Sequence, residues 1–274
     1  MLHAMALQDL CNFHSGHKTG RVTCGSVSHN APFDFYIPAA ECVHISMHFA
    51  LSWSTSTPSQ PPFTMSHGTT TLAFTFKDGI LAAADTRSSC SGLVASPDSQ
   101  KVEPIHSHLV STSSGTSADC ALWKRILARD LWLYQLRHGC RLSTGGVAKL
   151  LWHMLLPFKG SELCMATTLC GWDRGPGLFY VCSDGTRLQG TLFSVGSGSP
   201  YAYGILDQAL QWGMTVDEAT LVAREAVYRA AHRDAYSGNC VDVYHISSKG
   251  WTRRRREDLR DEFYREKTRK ETLE

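Results

Sequence analysis

Three consecutive threonines, Thr69 to Thr71, follow a His-Gly pair in the segment 66-SHGTTTLAF-74. A threonine hydroxyl inside a chain is a weak nucleophile because no base lies beside it. If the bond between Gly68 and Thr69 were cut, Thr69 would gain an α-amine, with an ordinary pKa of about 7.7–8.0, that can act as this base. A glycine before the bond leaves its carbonyl unhindered and tolerates strained backbone angles. The pair therefore predicts a chain that cuts itself and exposes Thr69 as a catalytic residue.

The residues after Gly68 predict the elements that would position Thr69. Apolar and hydroxyl residues alternate in TTTLAFTF, Asp78-Gly79 is a hairpin turn signal, and ILAAAD is the returning strand. Helical periodicity and strand patterns then alternate along the chain. Further strands are predicted over 101–105, 108–113, 163–172, 178–184, 188–196 and 240–246, and helices over 117–139, 145–156, 199–213 and 216–234.

This order of elements predicts an α+β fold in which helices cover both outer faces of a pair of sheets, a four-layer αββα sandwich. We expect residues 1–68 to be a prosegment removed on maturation, because Ser, Pro, His and Thr are frequent there and the composition changes at Gly68. Residues 69–251 form the predicted domain. Residues 252–274 form a charged C-terminal tail of mixed sign, which is typical of a solvated helix.

Composition excludes several classes of function. The chain has 274 residues, 43% of them hydrophobic, and a net charge of +2, so it has material for a core and no basic excess that would favour nucleic-acid binding. Its ten cysteines are scattered without CxxC pairs, and no apolar run approaches a membrane span. No secretory signal pattern precedes residue 21. We expect an intracellular protein that binds neither nucleic acid nor membrane.

A series of motifs in order resembles a known family. HGTTTLAF, AADTR, Lys101, SGTSADC, CGWD, SDGT, GSGSPYAYG and AHRDAYSG, spread from about Ser66 to Trp251, are similar to the catalytic β subunits of the 20S proteasome, in the chymotrypsin-like (beta type-5) subfamily. Within that subfamily, TRSSC and SGTSADC resemble its thymus-specific branch (beta type-11) most. The resemblance implies an N-terminal-nucleophile hydrolase fold and a threonine endopeptidase that uses no cofactor or metal.

The resemblance also implies a role for each matching residue. Thr69 would be both nucleophile and base, Lys101 would lower the pKa of its amine, and Asp85 would hold Lys101, with Arg87 in the same network. The backbone N–H of Gly115 would stabilise the oxyanion. The residues that would orient the amine are Ser197, Asp234 and Ser237.

The same resemblance locates the substrate-binding residues. The side chains near the P1 pocket would be Ser88, Ala95, Ser99, Ser113 and Ser117. Four of these five bear hydroxyls where relatives are mostly apolar, so we expect a reduced preference for large hydrophobic P1 residues. Substrate backbone would pair in a strand-like manner with the main chain near Ser89, Gly115 and Ser117.

The implied partners are other proteasome α and β subunits in stacked heptameric rings, with polypeptides as substrates. The products would be peptides of the kind displayed by MHC class I in the thymus, and the expected localisation is cytoplasmic and nuclear. One departure from the family lies at Asn239 and Cys240, where a small glycine-containing step is usual, close to the amine-orienting residues.

Other interpretations of the same residues remain open. The chain is either an enzyme, a structural ring subunit that stays unprocessed, or a self-standing hydrolase of small amides. Asp85 and Lys101 taken singly would be ordinary surface residues. The arginines 253–256 could be a nuclear address. A metal site is a further alternative for the histidines and cysteines of the N-terminal segment, which are Cys11, His14, His17, Cys24, His29, Cys42, His44 and His48.

Overall fold

Two antiparallel sheets lie at the centre of the described part of the chain. The structure is a computed structural model that describes residues 68–90 and 93–273, so the predicted prosegment up to residue 67 and its candidate metal ligands lie outside the described residues. The strands are β1 (Thr71–Phe76), β2 (Gly79–Asp85), β3 (Ser88–Cys90), β4 (Leu93–Ser96), β5 (Val102–His106), β6 (Leu109–Thr112), β7 (Ser114–Gly115), β8 (Met165–Trp172), β9 (Pro176–Cys182), β10 (Arg187–Gln189), β11 (Leu192–Val195), β12 (Cys240–Ser247), β13 (Gly250–Arg253) and β14 (Glu257–Asp258).

The helices are α1 (Ser117–His138), α2 (Thr144–Leu155), followed by a 3-10 turn (Leu156–Phe158), α3 (Ser199–Ala209), α4 (Val216–Arg233) and α5 (Leu259–Leu273). Gly139 ends α1 in a left-handed conformation, as its type predicts. A capping box at the start of α4 joins Thr215 and Glu218. None of the helices within the described ranges is long and apolar enough to cross a membrane.

The first sheet has the strand order β11-β1-β2-β12-β13, with β14 also paired to β12. The predicted hairpin is confirmed, because β1 and β2 pair in a register that sets Thr71 opposite Ala84. The next residues along this register are Thr70 and Asp85, and the Asp85 N–H donates to the Thr70 carbonyl at 3.1 Å. The hairpin therefore sets the end of β2 beside the chain that precedes β1.

The second sheet has the order β10-β9-β8-β6-β5, with β7 paired to β8, and β3 and β4 form a separate hairpin. Strands β5 and β6 pair with Val102 opposite Thr112. Just beyond that pair the Ser113 N–H donates to the Lys101 carbonyl at 2.9 Å. This register brings a predicted pocket residue beside a predicted catalytic residue.

The burial of β2 shows how the layers stack. All seven of its residues are buried. Leu81 and Ala83 pack in a cluster with residues of α3 and α4, while Ile80, Ala82 and Ala84 pack against the second sheet. Helices α1 and α2 cover the outer face of β8 and β9. A strand covered on both faces favours apolar residues at successive positions, which explains ILAAA before Asp85. The predicted αββα sandwich is confirmed.

The segment 188–196 was predicted as one strand, and this is wrong because it divides between the two sheets. Strand β10 pairs with β9 in the second sheet, and β11 pairs with β1 in the first. The change occurs within two residues, since Gly190 N–H still donates to Leu178 while the Thr191 carbonyl already accepts from Thr75. The crossing carries the chain to the edge of the first sheet, and Ser197 follows directly.

The C-terminal segment also differs from the prediction of a helix from Arg253 onward, because α5 begins only at Leu259. Three of the arginines before it make ion pairs with acidic side chains. Arg253 and Arg256 both contact the buried Asp242, at 2.8 and 2.5 Å, and Arg254 contacts Asp217 at 3.1 Å. These residues join the C-terminal segment to the folded domain.

Candidate active site

Thr69 lies just before β1 and is 8% exposed. Its backbone N–H donates to Ser197 Oγ at 3.1 Å, and its own carbonyl accepts from the Gly198 N–H at 3.2 Å. Its hydroxyl lies 2.7 Å from the carbonyl oxygen of Gly68 and donates to it. The uncut chain therefore holds the hydroxyl beside the carbonyl group that it would attack.

Gly68 lies where no side chain fits. A Cβ added to it would overlap the Cβ of Tyr236 and lie 2.7 Å from Ser197 Oγ. Because real Cβ atoms do not approach neighbours so closely, only glycine allows the chain to pass between these two residues in this conformation. Packing therefore gives a second reason for glycine at position 68, in addition to the unhindered carbonyl that cleavage would need.

Asp85 and Lys101 form a buried ion pair in which Lys101 Nζ lies 2.7 Å from Asp85 Oδ1. The exposed fractions are 0% for Asp85 and 7% for Lys101, so neither is the ordinary surface residue that each resembles singly. The carboxylate also accepts N–H groups from Thr70 at 2.9 Å, Gly238 at 2.9 Å and Arg87 at 3.2 Å. One ammonium group and three backbone N–H donors satisfy the hydrogen-bonding capacity of this buried carboxylate and balance its charge.

The charges in this pair depend on each other. Burial lowers the pKa of the Lys101 ammonium, which the charges of Asp85 and Asp234 oppose, while Arg87 adds to the lowering. Burial raises the pKa of the Asp85 carboxyl, and the Lys101 charge and backbone N–H donors oppose that rise. A cation held in this network would favour the neutral, basic form of an amine close to it.

A second network joins the amine-orienting residues predicted from the sequence. Ser197 and Ser237 both donate to Asp234 Oδ2 at 2.6 Å, and the Tyr236 N–H donates to Asp234 Oδ1 at 3.1 Å. Asp234 directly follows α4, and Ser197 follows β11. Because Thr69 N donates to Ser197, this carboxylate is connected to the Thr69 nitrogen through a single hydroxyl.

Thr70 is a functional residue that the sequence analysis missed. Its N–H donates to Asp85, and its hydroxyl lies 2.8 Å from Ser237 Oγ, so it links the two networks. The run of three threonines contained a signal for it, because only a small hydroxyl residue meets both demands. Gly238 was also missed, and no side-chain pattern could reveal a residue that acts through its backbone N–H.

Gly115 lies at the end of β7, two residues before α1, with a φ of 114°. A Cβ there would overlap the carbonyl oxygen of Cys164 on the neighbouring chain segment. Positive φ and close approach to another backbone both require glycine. Its position at a sharp loop into a helix suits the predicted use of its N–H as an oxyanion donor.

We expect Gly115→Ala to lower kcat by about 10²- to 10³-fold, since the backbone N–H would be displaced from the developing oxyanion. KM should change little, which steady-state hydrolysis of a peptide will measure. The matched control is Gly139→Ala, where φ is also positive, at 66°, but open space surrounds the added Cβ. An unchanged kcat in Gly115→Ala would contradict the oxyanion role.

The predicted substrate-binding residues lie on three segments. Ser88 and Ser89 are on β3 and Ala95 is on β4. Ser99 follows that hairpin, and its N–H donates to the Thr86 carbonyl at 2.8 Å. Ser89 Oγ donates to the Tyr236 carbonyl at 3.3 Å, which ties the hairpin to the loop after α4. The hairpin is thus attached beside the Thr69 site.

The other two pocket residues flank β7. Ser117 is the exposed first residue of α1, and Ser113 is buried between β6 and β7. Within the described residues, Ser113 Oγ is the buried side-chain polar atom without a hydrogen-bond partner. No group of three or more His, Cys, Asp or Glu residues in the described part of the chain is arranged to hold a metal ion.

Comparisons with known proteins identify the family of this chain. The profile of a family described as Proteasome subunit matches residues 65–246. The chain is similar to proteasome subunit beta type-8 of Rattus norvegicus, with 40% identity over 275 residues that cover 96% of this chain and 100% of that protein. It is similar to the beta type-5 subunits of Gallus gallus, at 48% over 194 residues (70% and 76% covered), and of Spinacia oleracea, at 46% over 195 residues (71% and 72%).

Proposed function

The chain belongs to the proteasome subunit family, and we propose that it is a threonine endopeptidase subunit of a 20S proteasome. In this proposal the precursor cuts itself between Gly68 and Thr69, and the new N-terminal threonine then cuts polypeptides. The observation that carries it is the position of Thr69, whose hydroxyl is 2.7 Å from the Gly68 carbonyl oxygen and whose nitrogen is 3.1 Å from Ser197 Oγ.

Self-cleavage would begin with attack of the Thr69 hydroxyl on the Gly68 carbonyl carbon. The new carbon–oxygen bond forms, the bond from that carbon to the Thr69 nitrogen breaks, and the hydroxyl proton ends on the leaving nitrogen. Water then hydrolyses the ester and releases the preceding segment with a free carboxyl group. The Ser197–Asp234 pair contacts the nitrogen on which the proton must arrive.

Turnover of substrates would use the same groups with the amine free. The α-amine takes the proton of the Thr69 hydroxyl, and the hydroxyl oxygen bonds to the peptide carbonyl carbon. The peptide carbon–nitrogen bond then breaks, and the α-amine passes the proton to the leaving nitrogen, which departs as the new amino terminus. Lys101 favours the neutral form of that amine, and Asp85 holds Lys101 in place. The Gly115 N–H would stabilise the oxyanion. Hydrolysis of the acyl-enzyme by water completes the cycle.

The test of this function is intact-mass analysis of the chain purified from assembled particles. We expect a species that begins at Thr69. A full-length chain that retains residues 1–68 inside complete particles would overturn the proposal. That outcome would instead support the alternative of a structural ring subunit that stays unprocessed.

We further propose that its P1 pocket is less apolar than those of chymotrypsin-like relatives. The support is Ser113, whose buried hydroxyl lacks a partner among the described residues. An unbonded buried hydroxyl is costly, and a polar substrate side chain would offer it a hydrogen bond. Ser88, Ser99 and Ser117 add further hydroxyl groups near the same segments.

We expect Ser113→Met to raise the preference for large apolar over polar P1 residues by about 10- to 200-fold in kcat/KM, because apolar contact replaces a hydroxyl. A peptide series that varies only at P1 measures this ratio. Ser113→Ala removes the hydroxyl alone, and Ser248→Met adds the same side chain at an exposed turn. A ratio in Ser113→Met equal to that of Ser248→Met would contradict the pocket assignment.

Its partners are other proteasome subunits of the 20S particle, and we propose α and β heptameric rings. The exposed apolar side chains of α1 favour such an assembly over a self-standing hydrolase, since Trp132 and Leu136 are 62% and 69% exposed. We also propose membership of the thymus-specific branch, which rests on TRSSC and SGTSADC. In that case the products would serve MHC class I display, and the particle would lie in the cytoplasm and nucleus.

A further inference from the structure

Asn239 has an unusual backbone conformation close to the proposed active site. Its φ is 70°, and it is the only non-glycine residue with positive φ among the described residues. Residues other than glycine rarely adopt a positive φ, although asparagine tolerates it better than most. It occupies a position where glycine would be the unstrained choice, so its side chain needs another explanation.

The side chain of Asn239 binds Arg87. Arg87 Nε donates to Asn239 Oδ1 at 2.8 Å, and Arg87 Nη1 donates to the carbonyl oxygen of Ala235 at 3.0 Å. Arg87 therefore spans both ends of the loop from Ala235 to Asn239. The Asn239 carbonyl accepts from the N–H of Leu259, the first residue of α5, at 2.9 Å. Asn239 therefore fixes the loop by two contacts, one from its side chain to Arg87 and one from its backbone carbonyl to Leu259.

The loop that Asn239 closes carries groups of both networks. Gly238 donates its N–H to Asp85 Oδ2, and Ser237 donates to Asp234. The backbone N–H of Arg87 donates to the same Asp85 oxygen. A shift of this loop relative to Arg87 would therefore disturb the donors around Asp85 and the hydroxyls around Asp234 together.

We propose that Asn239 is a positioning residue that, through Arg87, holds the loop 235–239 in the register at which Gly238 and Ser237 reach Asp85 and Asp234. This inference rests on the proposed protease function, because its consequence is the rate of peptide hydrolysis. Asn239 itself contacts no reacting atom. It acts through a hydrogen bond that glycine at this position cannot make.

The deciding variant is Asn239→Gly, studied in assembled particles beside wild type. Glycine adopts a φ of 70° without strain, so the variant keeps the backbone conformation and loses only the Arg87 contact. We expect kcat to fall about 10-fold with KM unchanged, less than the roughly 10²-fold that a 1 Å displacement of catalytic groups can cost. Asn239→Asp keeps an acceptor for Arg87 and should retain kcat within about twofold of wild type.

Two further readouts separate positioning from mere packing. The charged group that acts on Asp85 is Lys101, and Lys101 in turn is influenced by the charges of Asp234 and Arg87. A weaker hydrogen bond from the Gly238 N–H would raise the pKa of the Asp85 carboxyl. The acid limb of the pH profile of kcat in Asn239→Gly should therefore move to higher pH. Hydrogen exchange of the Gly238 amide, followed by mass spectrometry, should be faster in Asn239→Gly and slow in Asn239→Asp.

The outcomes distinguish this inference from the proposed function. Wild-type particles that hydrolyse no peptide at this subunit would refute the protease function, and Gly238 exchange would still decide whether Asn239 holds the loop. Active wild-type particles with unchanged kcat, pH profile and Gly238 exchange in Asn239→Gly would overturn the inference. Loss of kcat in Asn239→Gly with rescue in Asn239→Asp supports it.

Discussion

Replacing Thr69 by alanine is expected to leave residues 1–68 on the chain and to abolish peptide hydrolysis by this subunit. Alanine has no hydroxyl, so neither the Gly68 carbonyl, 2.7 Å from the Thr69 hydroxyl, nor a substrate carbonyl would meet a nucleophile. Intact mass of the chain in assembled particles and peptide hydrolysis by those particles measure the two effects.

The matched control is Thr69→Ser, which keeps the hydroxyl and would expose the same α-amine after cleavage. We expect it to be processed and to retain hydrolysis, at a reduced rate. A Thr69→Ala chain that still begins at residue 69 would show that another protease cuts the junction. Hydrolysis by Thr69→Ala particles equal to that of wild type would place the nucleophile elsewhere.

Replacing Lys101 by methionine is expected to lower kcat by about 10²- to 10⁴-fold, the range typical of losing assistance to proton transfer. Methionine has a similar length but no charge, so the amine of Thr69 would lose the cation that favours its basic form. The variant also leaves the Asp85 carboxylate buried without its 2.7 Å partner, which should cost about 3–5 kcal/mol of stability. Thermal unfolding and peptide hydrolysis measure these losses separately.

A double variant separates stability from chemistry. Asp85→Asn added to Lys101→Met removes the uncompensated charge, so part of the stability should return, whereas hydrolysis should not. Recovery of hydrolysis in the double variant would mean that Lys101 serves only to neutralise Asp85. A single Lys101→Met variant with wild-type kcat would contradict the role of Lys101 altogether.

Much of the fold could be predicted from the sequence where local pattern and burial agree. TTTLAFTF, Asp78-Gly79 and ILAAAD indicate a hairpin because period, turn and length agree. The division of 188–196 could not be predicted, since LQGTLFSV has continuous strand character and only tertiary pairing decides which sheet each half joins. The short strands β3, β7 and β14 depend on such pairing as well.

The residues of the candidate site likewise divide into those that the sequence could predict and those that it could not. Asp85, Lys101 and Asp234 could be singled out because their types and order match a known family, and the structure brings them into connected networks. The donor from Gly238 could not be, because a backbone N–H has no sequence signature, whereas for Thr70 only the hydroxyl in the threonine run left a signal. The bond between Asn239 and Arg87 joins residues 152 positions apart, so only the folded chain reveals it.

The contact between the Thr69 nitrogen and Ser197 has a consequence for latency. The uncut chain already holds this nitrogen where a freed amine would need to be, linked to Asp234 through Ser197. In the proposed mechanism, the amide nitrogen of the uncut chain has no available lone pair, so the precursor would be inactive for an electronic reason even with these contacts formed. Activation by the proposed cleavage would then need no change of shape around Thr69 and Ser197, only the loss of one acyl group.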